Sequence, residues 1–167
     1  MCSSDLGSSV TITGSGFSGV TGVTFGGVAA TSYQVLSASS LTAVAPPHAP
    51  GGTEIQVLST QGNSPLKPAL DTFTYLLARP AISALSTNSG PTTGGGSLVI
   101  QGTSFYNVSA ISFGGTFATS YIVNSPTQIT ATVPAHAAGT VDITITNSAG
   151  TSPLDPAHDQ YTWQATG

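Results

Sequence analysis

Charge is what this 167-residue chain has least of: Lys67 and Arg79 are its only basic residues, set against six acidic ones. That is 5% charged residues, where about 25% is usual. Two cations cannot neutralise a track of phosphates, which excludes a nucleic-acid partner. A coiled coil is excluded too, because its flanking heptad positions need charges. Cysteine is as scarce. Cys2 stands alone, so no intrachain disulfide can form and the fold must rest on its cores. No apolar run approaches the roughly 18 residues of a membrane helix, so direct membrane insertion is not expected. The opening hexapeptide MCSSDL has neither a basic stretch nor an apolar run and does not read as a secretory signal. A disordered polyelectrolyte is excluded as well, since the net charge is only −4 and mean hydropathy is +0.23.

What the chain does have is glycine (20), proline (11) and many strand formers. Val10 and Ile12 alternate with threonine, Val141, Ile143 and Ile145 alternate with polar residues, and so do Ile129, Ala131 and Val133. A period of two marks a strand with one buried face. Between these runs lie Gly26–Gly27, Gly114–Gly115, Ser64–Pro65 and Ser152–Pro153. Gly-Gly supplies positive φ for tight turns, and proline stops strand pairing. About six or seven short strands in each stretch of about 85 residues predict an antiparallel β-sandwich. No window carries a sustained helical period.

Sliding the chain against itself by 88 residues aligns Gly7–Tyr75 with Gly95–Trp163 without a gap, and 30 of the 69 pairs are identical. VTFGGVAATSYQV (Val23–Val35) faces ISFGGTFATSYIV (Ile111–Val123), and PPHAPG (Pro46–Gly51) faces PAHAAG (Pro134–Gly139). The chain is therefore an internal duplication. The copies differ at their starts. The second is preceded by RPAISALSTNSGPTTGG, which predicts a short strand over Ala81–Leu85 and then a turn-rich segment. Most of its counterpart in the first copy would fall before Met1. The expectation is a first module that lacks its opening strand, in a chain that is a piece of a longer protein with an artificial start.

The series P-x-I, S-G-P-x-x-G-G, V-x-I-x-G-x-x-F, V-x-F-G-G, I-T-A-T-V-P and D-x-[FY]-x-[YW] runs in order through the second copy. Its residues are Pro80, Ile82, Ser89, Gly90, Pro91, Gly94 and Gly95, then Val99 (one place off the usual phase), Gly102 and Phe105, then Ile111, Phe113, Gly114 and Gly115, then Ile129–Pro134, and finally Asp159, Tyr161 and Trp163. This order resembles the IPT/TIG group of immunoglobulin-like domains. The resemblance covers nearly all of the second copy and all but the first strand of the first. It implies an all-β chain of two tandem immunoglobulin-like antiparallel sandwiches, residues 1–77 and 78–167, without the disulfide of antibody domains. Such modules stand in plexin-type receptors, in Rel-type transcription factors, beside polysaccharide-degrading catalytic domains and in arrays on bacterial surfaces. The Rel-type role needs basic DNA-contacting loops, which this chain lacks.

Candidate chemistry is thin. Gly14–Gly19 (GSGFSG) matches G-x-G-x-x-G, but no helix pattern follows it and the aligned GTSFYN loses both later glycines, so it reads as a turn. His48 and His136 occupy equivalent loops, with no second His or Cys at zinc-ligand spacing. The DPAHD cluster (Asp155, His158, Asp159) faces KPALD in the first copy, so it is not a shared device, and calcium needs about six oxygen ligands. No cofactor or metal is expected. Neither a nucleophile elbow nor a paired-carboxylate site appears, which points away from an enzyme. Aromatics shared by the copies (Phe17/Phe105, Phe25/Phe113, Tyr33/Tyr121, Phe73/Tyr161, Tyr75/Trp163) are expected in the cores. Tyr106 and Phe117 face Ser18 and Ala29 and are the candidates for carbohydrate or partner contact. Asn107–Ser109 also carries an N-glycosylation pattern.

The expected role is a non-catalytic spacer, adhesion or presentation segment of a larger extracellular or cell-surface protein. Its partners would be the adjacent domains of that parent and a polysaccharide or surface protein. The alternative is an accessory carbohydrate-binding module of a polysaccharide-degrading enzyme. Pro80 stiffens the short Leu76–Arg79 linker, so a semi-rigid rod is expected.

Overall fold

The computed structural model describes Ser3, Ser4 and residues 7–166. Met1, Cys2, Asp5, Leu6 and Gly167 lie outside the described residues, and with them the readings of Cys2, of the Asp5 charge and of most of MCSSDL. The chain divides into two compact units, Met1–Leu76 and Leu77–Gly167. Among the described residues there is no helix, and hence none long and apolar enough to cross a membrane.

In the second unit the strands are β9 (Ala81–Leu85), β10 (Ser89–Pro91), β11 (Ser97–Thr103), β12 (Ala110–Phe113), β13 (Thr116–Phe117), β14 (Ser120–Ser125), β15 (Gln128–Thr132), β16 (Gly139–Asn147), β17 (Gly150–Thr151) and β18 (Gln160–Gln164). They form two sheets. One runs β10-β18-β16-β12-β13 with β17 beside β16, and the other runs β14-β15-β11-β9. The alternating residues do what their period requires: Leu98, Ile100, Ile111, Phe113, Ile129, Ala131, Ile143 and Ile145 all turn into one core between the sheets. Trp163 closes it, with its indole N–H donating to the Pro134 carbonyl at 3.1 Å and its ring meeting Phe113 and Tyr161 edge-on.

The first unit repeats this plan with β1 (Ser3–Ser4), β2 (Ser9–Thr13), β3 (Val20–Phe25), β4 (Val28–Ala29), β5 (Ser32–Ser37), β6 (Ser40–Val44), β7 (Gly51–Ser59) and β8 (Thr72–Tyr75). Its sheets are β1-β8-β7-β3-β4 and β2-β6-β5. Val10, Val23, Phe25, Leu41, Ala43, Ile55, Val57, Phe73 and Tyr75 form the core. The parallel pairing of β1 with β8 matches that of β10 with β18. Of the two elements that open the second unit, β10 thus has a counterpart. β9 has none among the described residues, and β2 is the edge of a three-stranded sheet where β11 is an inner strand.

One of the shared aromatic pairs is not core. Tyr33 is 39% exposed, and Tyr121 is only partly buried, its hydroxyl donating to the Val108 carbonyl at 3.1 Å. They lie on β5 and β14, the outermost strands of their sheets, where Tyr121 still packs against the margin of the second core and Tyr33 is left exposed.

Candidate functional site

The position of Phe117 follows from the hairpin that carries it. Gly114 and Gly115 hold φ of 57° and 100°, the left-handed turn that joins β12 to β13. Glycine is required twice over at position 114, because an added Cβ would lie 2.6 Å from the Val141 side chain. This two-residue turn sets Phe117 opposite Ser112. Directly opposed residues of an antiparallel pair share a face. Ile111 and Phe113 point into the core, so Ser112 and Phe117 point out, and Phe117 is 66% exposed. The chain then crosses to the other sheet, where β14 leaves Ile122 and Val123 exposed. Phe117, Ile122 and Val123 are, with Leu154, the large apolar side chains that the second unit exposes among the described residues. The first unit has Ala29 in place of Phe117, and exposes Val35 and Leu36 on β5.

Tyr106 sits in the loop between β11 and β12 and is partly buried. The loop is fixed by Phe105 N–H donating to the Pro126 carbonyl (3.0 Å), by the Tyr121–Val108 bond, and by Ser109 N–H donating to the Thr146 carbonyl (2.9 Å). Ser104 and Asn107 both hold positive φ there, and Gly16, the counterpart of Ser104, has φ 74°. The GSGFSG segment is a turn, as its missing helix predicted. Tyr106 and Phe117 lie beyond opposite ends of β12, and no ring contact joins them among the described residues.

The polar residues that looked most chemical are used by the fold. His48 stacks on Tyr75 (4.8 Å between centroids) and His136 on Trp163 (4.5 Å), and each Nδ1 bonds the next residue's carbonyl at 2.7 and 2.8 Å. They are lids on the core aromatics. Asp71 and Asp159 each accept the backbone N–H four residues earlier, from Lys67 at 2.7 Å and Asp155 at 2.6 Å, and so brace the loop before the last strand. Ser64 and Ser152 do the same for that loop's other end, accepting from Val57 and Ile145. The shared S-P-L-x-P-A-x-D spacing was the signal for this brace. Its bonds run to backbone groups, which a search for side-chain constellations passes over.

Burial pushes the Asp159 carboxyl above the ordinary carboxylate range, with Asp142 and Asp155 adding repulsion. The exposed Asp155 is held below that range by its 2.7 Å contact with His158. Among the described residues no three of His, Cys, Asp and Glu gather as a metal-ligand group. A cleft of about 480 Å³ opens between β9–β10 and the His158 loop, lined by Ser86, Asn88, His158, Gln160 and Thr162. Sequence reading did not anticipate it, since its walls come from residues about 70 apart.

The IPT/TIG domain family matches residues 1–75 and 80–160. Among curated proteins none matches. Solved structures of similar fold include the surface glycan-binding protein PbSGBP-B of Prevotella bryantii, at 18% identity over 95% of this chain and 37% of that one, with a TM-score of 0.53. SGBP-B from a complex xyloglucan utilization locus in Bacteroides uniformis matches at 20% identity over 89% of this chain and 44% of that one, TM-score 0.46. A tandem of immunoglobulin domains from titin matches at 12% identity over 98% and 92%, TM-score 0.49. The chain thus spans 37–44% of the length of the two glycan-binding proteins. At these identities the likeness is one of fold. The family match covers both copies nearly end to end, and the chain belongs to the IPT/TIG domain family as two such domains in tandem.

Proposed function

We propose that this chain is a non-catalytic interaction segment of a larger extracellular or cell-surface protein, spacing and presenting neighbouring domains. The observation that carries this is where the two copies agree and where they differ. The interior positions stay apolar or aromatic in both copies while their size changes (Val10/Leu98, Val57/Ile145, Tyr75/Trp163), and the Gly-Gly turns and the His and Asp braces are unchanged. Two outward positions change in character, Ala29 against Phe117 and Gln34 against Ile122. A shared sandwich that tolerates exchange at outward positions suits a repeated binding or spacing module. With no dense charge on the surface, contact would rest on hydrogen bonds and apolar or aromatic faces.

The second reading, an accessory carbohydrate-binding module, is favoured by Phe117 alone, whose exposed ring offers the flat apolar face on which a pyranose stacks. Affinity gels containing starch, cellulose or chitin separate the two. A binding module is retarded on one of them, and Phe117→Ala abolishes the retardation while Tyr106→Ala, at a partly buried position, weakens it less. The spacer reading predicts unchanged mobility on all three.

A further inference from the structure

The cleft of the second unit has walls of one chemical kind. Ser86, Thr87 and Asn88 of the β9–β10 segment face His158, Gln160 and Thr162 across about 480 Å³, with a few apolar side chains between them. That volume falls within the roughly 300–1,000 Å³ of ordinary ligand sites. Among the described residues no carboxylate, lysine or arginine lines it, so the polar walls offer hydroxyls, amides and one imidazole. Two acids outside the lining hold wall groups in place. Asp155 Oδ2 lies 2.7 Å from His158 Nδ1, which leaves Nε2 for a ligand. Gln160 Nε2 donates to Asp142 Oδ1 at 3.1 Å, which leaves its carbonyl oxygen and its second N–H. The backbone is tied as well. Thr162 N–H donates to the Asn88 carbonyl at 2.8 Å, and Val99 N–H donates to Ser86 Oγ at 3.0 Å. Groups fixed in this way lose little freedom when a ligand arrives. At the positions of Asp155, His158 and Gln160 the first copy has Lys67, Leu70 and Thr72, so this wall is particular to the second unit.

We infer that this cleft is a binding site for a neutral, hydroxyl-rich ligand, a short uncharged saccharide. A sugar hydroxyl both donates and accepts, as do the amides of Asn88 and Gln160 and the hydroxyls beside them. An anion would meet no cation in the cleft and would have Asp142 and Asp155 behind one wall, and a cation would meet no carboxylate in the lining. The inference rests on the carbohydrate reading given above, but not on Phe117, which lies on β13 and does not line the cleft.

The test titrates the whole chain with maltotetraose, cellotetraose and N-acetylchitotetraose, read by the side-chain NMR signals of Asn88, His158, Gln160 and Phe117. One of the three should shift the first three residues saturably, and tetragalacturonate, a charged control, should not. His158→Leu, with the side chain the first copy carries there, and Gln160→Ala should each weaken binding about tenfold, the loss of one or two hydrogen bonds. Both positions are exposed, so the core is left intact. Shifts confined to Phe117 overturn the cleft and leave the carbohydrate reading standing. No shift from any of the three neutral sugars overturns both. Binding that both variants leave unchanged, or an equal response to tetragalacturonate, overturns the inference as well.

Discussion

A buried carboxyl with one oxygen satisfied and one bare is a residue-scale feature with a measurable pH signature. Asp159 is fully buried; one oxygen accepts the Asp155 amide, and the other has no partner. Burial raises its pKa in the folded state. The folded chain therefore holds this proton more tightly than the unfolded chain, so the group's contribution to stability is greatest at low pH and is lost as the pH rises above the ordinary carboxyl value. Asp155 works in the opposite direction, since a lowered pKa adds stability as the pH rises. Asp159→Asn keeps an oxygen for the Asp155 amide and removes the ionisation. Denaturation midpoints of the variant minus wild type should grow as the pH rises above the ordinary carboxyl value of about 4 and level off once the folded-state carboxyl is ionised. A difference that is flat across this range would contradict the account.

At the scale of elements, the Gly-Gly hairpins set which side chains face outward. Gly114 and Gly115 both hold positive φ, but only at 114 would a Cβ collide with Val141, while at 115 no atom lies within 4 Å. Gly115→Ala should cost about 1–2 kcal/mol for the left-handed backbone alone. Gly114→Ala adds overpacking and should cost about 2–5 kcal/mol. Chemical denaturation of the two variants checks the order, and equal losses would mean that Val141 yields freely. These hairpins also show how much was legible beforehand. Gly-Gly after V-x-F announced the turn, and Phe117 stood out because the first copy has Ala29 there, whereas its register opposite Ser112 came only with the structure. Ala81–Leu85 was readable as a strand from its own alternation. The stacking of His48 and His136 was not, because a histidine's sequence neighbours say nothing about a core aromatic some 27 residues away. Tyr33 was misplaced for a related reason: repetition in both copies shows that a residue is needed, not which face it occupies.

Across the whole molecule, one fold is used twice under different conditions. Among the described residues, the second unit buries its inner residues under four strands in one sheet, and the first does so under three. The apolar residues left partly wet in the first unit lie along the edge that β9 covers in the second. Burial is the dominant stabilising term, and an unpaired edge adds nothing to it. The two units should therefore differ in stability although 30 of 69 aligned residues are identical. Native-state hydrogen exchange on the intact chain tests this most directly, by comparing β2, β6 and β7 with β11, β15 and β16 in one sample. The account predicts that the first set opens at lower free energy, with exchange about tenfold faster or more. Equal protection of the two sets would contradict it.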